Sequence, residues 1–423
     1  MLCVYQLVPK THFAAYSGMV SVTIALATIA GPIVGGALGK DTAWRWLFYM
    51  NLPPGCIAMI LAAISMPPHF SRRFTGLDLS TKSGMQFMWN IDLPGMFFLL
   101  GGSLMLVTVI DETNSHFSWS SPTAIILVIM SVIFWAGFFV WEIRISDPEF
   151  QIRPVFPKTF FSNLPLIGIF LTSFLVGVPY NSVIVYLPQR FQVIMGDSAL
   201  MAGIRLLGYS GVTAFSSTFA IGISTKLKVP FLPILIVSAV INLAGIVLLA
   251  TLPTSAVFPP SGYGYEVLAG CGMGIAYGIS VFSVPYLLDL KDLQEASGIV
   301  VQMRYLGSSV GVSISSNIFN GRLKSGVSSF LSKDAYERLL HNVESLSDLT
   351  RTDQARVQEN FAKSYKIQFQ VLIGFAIAQL AVAFLLLKRG KQTRPLDLAS
   401  KGMTASHNGG TAGNKQHINN NPR

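Results

Sequence analysis

The sequence predicts an all-α, polytopic membrane protein, a bundle of about ten transmembrane helices. Charged residues make up only 12% of the 423-residue chain and hydrophobic residues 51%, with a mean hydropathy of +0.54. An ordinary soluble domain carries roughly 25% charged residues. The apolar residues also gather into runs of about 20, the length that crosses a hydrocarbon core of roughly 30 Å. These runs lie at 16–38, 45–65, 92–110, 122–142, 164–187, 199–223, 230–252, 265–288, 297–319 and 367–387. Finally, the cationic residues divide unequally between alternate connections, as a threaded chain requires.

In the first run Ala27, Gly31, Gly35 and Gly39 recur every fourth residue, a row of small side chains that lets a second helix approach closely. Pro32 removes one backbone donor there and bends the helix. Trp44 and Trp46 suit the headgroup level, and Arg45 can reach water or lipid phosphate. Asn51, Pro53, Pro54 and Gly55 then open the second run, making an outer-face hairpin. Residues 66–91 form a basic loop with helix breakers at its start, and 92–142 holds two further spans.

The fifth run carries Tyr180 and Asn181, able to stack on and hydrogen-bond to an amphiphile, although plain interior polar residues would look the same. Arg205 in the sixth and Glu266 in the eighth sit near outer ends, within snorkelling reach of water. Glu266, Met273, Tyr277 and Ser280 share one stripe of the eighth run, and Gly270, Gly274 and Gly278 repeat every fourth residue. In the ninth, Gln302, Ser309, Ser313 and Ser316 fall at offsets 0, 7, 11 and 14, again one face, with Gly307 and Gly311 as a GxxxG pair. Polar stripes are costly against lipid, so they line a cavity or pack on neighbouring helices. Arg304, about two turns from the inner end, takes a functional role if that helix faces water.

Residues 320–366 are polar; within them Tyr336, Leu339, Leu340, Val343 and Leu346 predict a short amphipathic helix across the outer mouth or the lipid surface. The tail, 388–423, has the composition of a disordered segment.

Lys10, Arg72, Arg73, Lys82, Arg144, Arg153, Lys158, Lys226, Lys228 and Lys291 fall on one side, against Lys40, Arg45 and Arg190 on the other. That asymmetry puts both termini in the cytoplasm. The net charge of +10 is scattered through loops and tail, with no basic helix to hold nucleic acid. Cys3, Cys56 and Cys271 show no metal-ligand or CxxC spacing, and no cleavable signal precedes the first run. No histidine lies in any run, no carboxylate falls clearly at a span's middle, and no Ser-His-Asp, Walker or metal-ligand pattern appears. The expectation is a non-enzyme without cofactor or metal.

Gly18, Ala27, Gly31-Pro32 and Gly35-Gly36 together resemble the antiporter motif of the drug/proton exporters of the major facilitator superfamily, with Ala27 where the motif has glycine. "TAWRWLFYMNLPPG" (42–55) resembles the adjoining turn and sixth helix of the fourteen-helix branch, and "YLPQRFQVIMGDSALMAGIRLL" (186–207) its ninth-to-tenth connection. The resemblance implies a major-facilitator bundle lacking the first four helices. Residues 1–65 would be the remnant of the N-terminal bundle, 66–91 a cytoplasmic loop, 92–142 two linking helices, 160–387 the six-helix C-terminal bundle and 388–423 the tail. Runs 164–187, 199–223, 265–288 and 297–319 would line the cavity, and 230–252 and 367–387 would face lipid.

The family's activity would be proton-coupled efflux of amphiphilic drugs, toxins or secondary metabolites. It implies a monomer whose partners are membrane lipid, an amphiphilic small molecule and protons, in the plasma membrane by default or the vacuolar membrane. The alternatives are a truncated, non-transporting form and an importer or uniporter of small polar solutes on the same fold.

Overall fold

The computed structural model describes residues 13–38, 45–65, 92–113, 117–147, 152, 154–254, 257–288, 292–327 and 350–389. The loop 66–91, the segment 333–346, the residues around Gly39 and the tail from 390 onward lie outside the described residues.

Twelve α-helices are described: α1 Phe13–Leu38, α2 Trp46–Tyr49, α3 Leu52–Ser65, α4 Leu93–Glu112, α5 Pro122–Ile145, α6 Leu164–Met195, α7 Ala199–Arg205, α8 Leu207–Lys226, α9 Phe231–Ala250, α10 Pro260–Ser283, α11 Leu293–Val327 and α12 Arg351–Arg389. Several of them start on ordinary side-chain caps. Asn163 Oδ1 accepts from Leu166 N at 3.2 Å before α6, and Ser198 Oγ accepts from Met201 N at 3.2 Å before α7. Gly196 ends α6 with φ of +70°, the left-handed region where only glycine is unstrained.

Among the described residues eight stretches are long and apolar enough to cross a membrane: 46–65, α4, α5, α6, 199–226, α9, 260–286 and 351–386. Each of the ten expected runs falls in a helical stretch, the remaining two being α1 and α11. The described helices expose broad apolar surfaces, on α5 for example Ile126, Ile129, Val132 and Ile133, as a lipid-facing helix must.

Backbone-to-backbone contacts at glycines set the packing. A Cβ at Gly270, Gly274 or Gly278 of α10 would run into the carbonyls of Tyr209, Thr213 and Ser217 on α8. Gly272 and Gly245 bring α10 equally close to α9. Gly307 and Gly311 of α11 press on the carbonyls of Phe174 and Val178 in α6, and Ser308 Oγ donates to Gly177 O at 3.2 Å. The four-residue glycine rows of the eighth and ninth runs are therefore packing surfaces. They also explain how so polar a helix as α11 is accommodated: α6, α12 and α4 surround it, and Asn317 Nδ2 donates to the carbonyls of Ile110 and Thr113 on the α4 side.

α12 braces α6 and α9. Asn242 Nδ2 donates to Gln379 Oε1 at 2.6 Å, with both side chains wholly buried. Changing either residue alone to leucine is expected to destabilise the protein by about 1–3 kcal/mol, because its partner is left unpaired in a dry interior. The double change should recover most of that loss. A double-mutant cycle of thermal melts checks it, and additive losses would refute the pairing.

α1 docks on α7 and α8, but not by the row the sequence suggested. A Cβ added at Gly31 or Gly35 would meet nothing within 4 Å, and Gly31 is exposed. The contact runs along Ile29, Pro32 and Gly36: a Cβ on Gly36 would overlap the backbone of Ala199 and Leu200, one on Gly203 would overlap Pro32 O, and one on Gly211 would touch Ile29. The true face is one residue over, about 100° around the helix. α3 buries no residue.

Candidate functional site

A cavity of about 290 Å³ opens where α1, α6, α8, α10 and α11 converge. That is near the lower limit for a small-molecule pocket, roughly 300–1,000 Å³. Tyr180 follows Pro179 inside α6, and its backbone oxygen accepts from Tyr209 Oη at 3.5 Å, which fixes that turn against α8. From α8 come Thr213, Ser217 and Ile221, spaced by four residues and so on one row, and from α10 Tyr277, Val281 and Phe282. α11 supplies Val301, Arg304 and Tyr305, and α1 supplies Ile24 and Thr28.

The charge in this chamber belongs to Arg304. Its side chain is only 8% exposed, and its guanidinium carbon stands 4.0 Å from the Tyr277 ring centroid and 5.3 Å from that of Tyr305. Among the described residues no carboxylate forms an ion pair with it. A buried cation held by ring faces keeps N–H donors for a guest. Rings, aliphatic side chains and one guanidinium thus give a site for an apolar or aromatic body bearing an acceptor or anionic group. Among the described residues no group of three or more His, Cys, Asp or Glu comes together to hold a metal.

The sequence-predicted residues distribute unevenly. Tyr180, Tyr277 and Arg304 meet at the cavity, and Asn181 is half-buried beside it without lining it. Gln302, Ser309 and Ser313 share a face of α11 that is not part of the lining; Ser309 is exposed, with its hydroxyl on Tyr305 O at 3.0 Å, and Ser313 is buried. Ser280 is buried without a hydrogen-bond partner. Glu266 lies far up α10, wholly buried against Gly208 of α8. Gly18 is in α1, and Ala27, like Gly31, is exposed.

Sequence reasoning missed Thr28, Thr213, Ser217 and Tyr305. For the α8 pair a signal existed, since two hydroxyls four residues apart in an apolar run mark a polar row; Thr28 satisfies its own hydroxyl on Ile24 O at 2.8 Å and gives none.

Residues 1–312 match the family described as Major Facilitator Superfamily. The chain belongs to the Major Facilitator Superfamily. Among similar superfamily members is the MFS-type transporter FPY5 of Fusarium mangiferae, 29% identical over 389 residues, covering 92% of this chain and 65% of that protein. The MFS-type efflux pump elcC of Phaeosphaeria nodorum is 27% identical over 336 residues, covering 77% of this chain and 57% of the other. The chain thus spans less than two thirds of these relatives' length. In fold it is similar to a bacterial homologue of the human lysosomal transporter Spinster in an inward-facing, occupied conformation, with a TM-score of 0.51, 14% identity, and coverage of 91% of this chain and 72% of that one. As a major facilitator protein with many apolar helices, it is an integral membrane protein and not an enzyme.

Proposed function

We propose that this chain takes part in proton-coupled export of amphiphilic organic compounds across the plasma membrane, by alternating access around the cavity at Arg304. The observation that carries this reading is a buried guanidinium between the Tyr277 and Tyr305 rings, facing the helix that bears the antiporter-like motif. Such a chamber selects an apolar or aromatic body with an anionic or acceptor group. The efflux-pump relatives support the outward direction. The lysine and arginine asymmetry supports cytoplasmic termini, and the broad apolar surfaces suit a monomer in lipid.

Expression in cells stripped of their own exporters, loaded with a fluorescent anionic amphiphile, is expected to lower retained dye severalfold, and a protonophore should abolish the difference. Equal retention in expressing and control cells would overturn export.

A second reading, a protein that binds the amphiphile without moving it by itself, is favoured by α3, which buries nothing. Dye binding by the purified chain with no effect on cellular retention would decide for it.

A further inference from the structure

Outside the cavity, α10 buries a second ionisable group. Glu266 is 0% exposed, and neither of its carboxylate oxygens has a hydrogen-bond partner. An ionised carboxylate cannot be left so without a large desolvation cost, whereas a neutral acid can. Room for it exists because α8 has glycine at 208, where an added Cβ would stand 2.9 Å from Glu266 Oε2.

Arg205, the last residue of α7, stands one turn from it on both sides: it lies three residues before Gly208, and its Nη1 donates to Tyr263, three residues before Glu266 on α10. That guanidinium is engaged elsewhere: Nε pairs with Asp197 Oδ2 at 2.6 Å, Nη2 reaches Asp197 Oδ1 at 3.5 Å, and Nη1 donates to Tyr263 Oη. The surrounding elements contribute few other titratable groups. α6 brings Arg190, whose Nη2 donates to Pro253 O; α8 brings Tyr209, bound to Tyr180 O; and α10 adds Tyr263 and Tyr265. α1 and α9 carry no charged residue at all.

We propose that Glu266 is a proton-binding site, and that on losing its proton it competes with Asp197 for Arg205. With the proton bound, the acid is neutral and Asp197 keeps the guanidinium, which is the arrangement in this structure. On release the proton passes to water, and the new carboxylate draws Arg205 off Asp197. The exchange reaches α1, because Gly203, two residues before Arg205 on the same short helix, packs on the carbonyl of Pro32. A proton at Glu266 thus biases the contact made by the antiporter-like motif.

Infrared difference spectroscopy of the purified full chain in lipid nanodiscs, titrated from neutral to alkaline pH, tests this without any need for transport. Expected is a protonated-carboxyl band at neutral pH that disappears on alkalinisation and is missing from Glu266→Gln, a side chain isosteric with the neutral acid. Asp197→Asn removes the competitor and gives Arg205 to Glu266, so the proton should bind about tenfold or more weakly, since an opposite charge at close range typically moves a carboxyl by about 1–3 pH units. A band unchanged in Glu266→Gln overturns the proton site. A midpoint that Asp197→Asn leaves in place overturns the competition for Arg205. Loss of dye export, with both spectroscopic results intact, would count against the transport reading alone.

Discussion

Leucine at Gly36 is expected to lower accumulation of the folded protein severalfold, while leucine at Gly31 leaves it close to wild type. The two glycines belong to the same motif and differ in what lies opposite. A Cβ on Gly36 would sit inside the van der Waals envelope of Ala199 O, Ala199 C and Leu200 Cα, all backbone atoms that no rotamer change can move. A leucine there forces α1 away from α7, and with it the neighbouring contact between Gly203 and Pro32 O. Overpacking typically costs about 1–3 kcal/mol and occasionally more, and rigid backbone on both sides puts this case at the upper end. Set against a total stability of roughly 5–15 kcal/mol, that loss is large. At Gly31, which is exposed, an added Cβ meets nothing within 4 Å, so a larger side chain has open space to enter. Thermal melts of the purified variants and their abundance in isolated membranes measure the contrast; a Gly36→Leu protein as stable as wild type would refute the close docking of α1 on α7.

That contrast also shows what the sequence could convey. Apolar length located the membrane helices, because crossing a hydrocarbon layer is a local demand on composition. The rows at Gly270, Gly274, Gly278 and at Gly307, Gly311 were legible as packing surfaces for the same kind of reason: four-residue spacing is a property of one helix alone. The face of α1 was not, since small residues occupy two adjacent rows there, and only the position of α7 decides which is covered. Glu266 and Tyr277 illustrate a second limit. Eleven residues apart, they lie within about 20° of one another around α10 but about 16 Å apart along it, so one stripe serves two separate sites. Angular periodicity carries no depth. Thr28 and Tyr305 reach the cavity through tertiary placement, which no pattern in their own segments announces.

Replacing Arg304 by alanine is expected to weaken binding of an anionic amphiphile tenfold to a hundredfold, with no loss of folded protein. The affinity loss follows from the cavity's chemistry. A charge-assisted hydrogen bond from the guanidinium to a guest is worth about 1.5–3 kcal/mol, where about 1.4 kcal/mol is tenfold in affinity. Stability moves differently. Removing one partner of a buried ion pair strands the other charge, but Arg304 has no ion-pair partner among the described residues, so its loss orphans no carboxylate and relieves the cost of burying a cation. That relief offsets the lost contacts with the Tyr277 and Tyr305 rings, so the Arg304→Ala protein should melt close to the wild-type temperature. Arg304→Lys keeps the charge and loses the planar group that stacks on Tyr277 at 4.0 Å, so it should fall between the two. An uncharged amphiphile of the same body should be nearly indifferent to either change. Fluorescence titration of purified protein with the charged and uncharged ligands reads all of these. Should alanine at 304 bind the anionic ligand as tightly as wild type, the guanidinium is a structural element of α11, and the cavity must select its guests by shape and apolar surface alone.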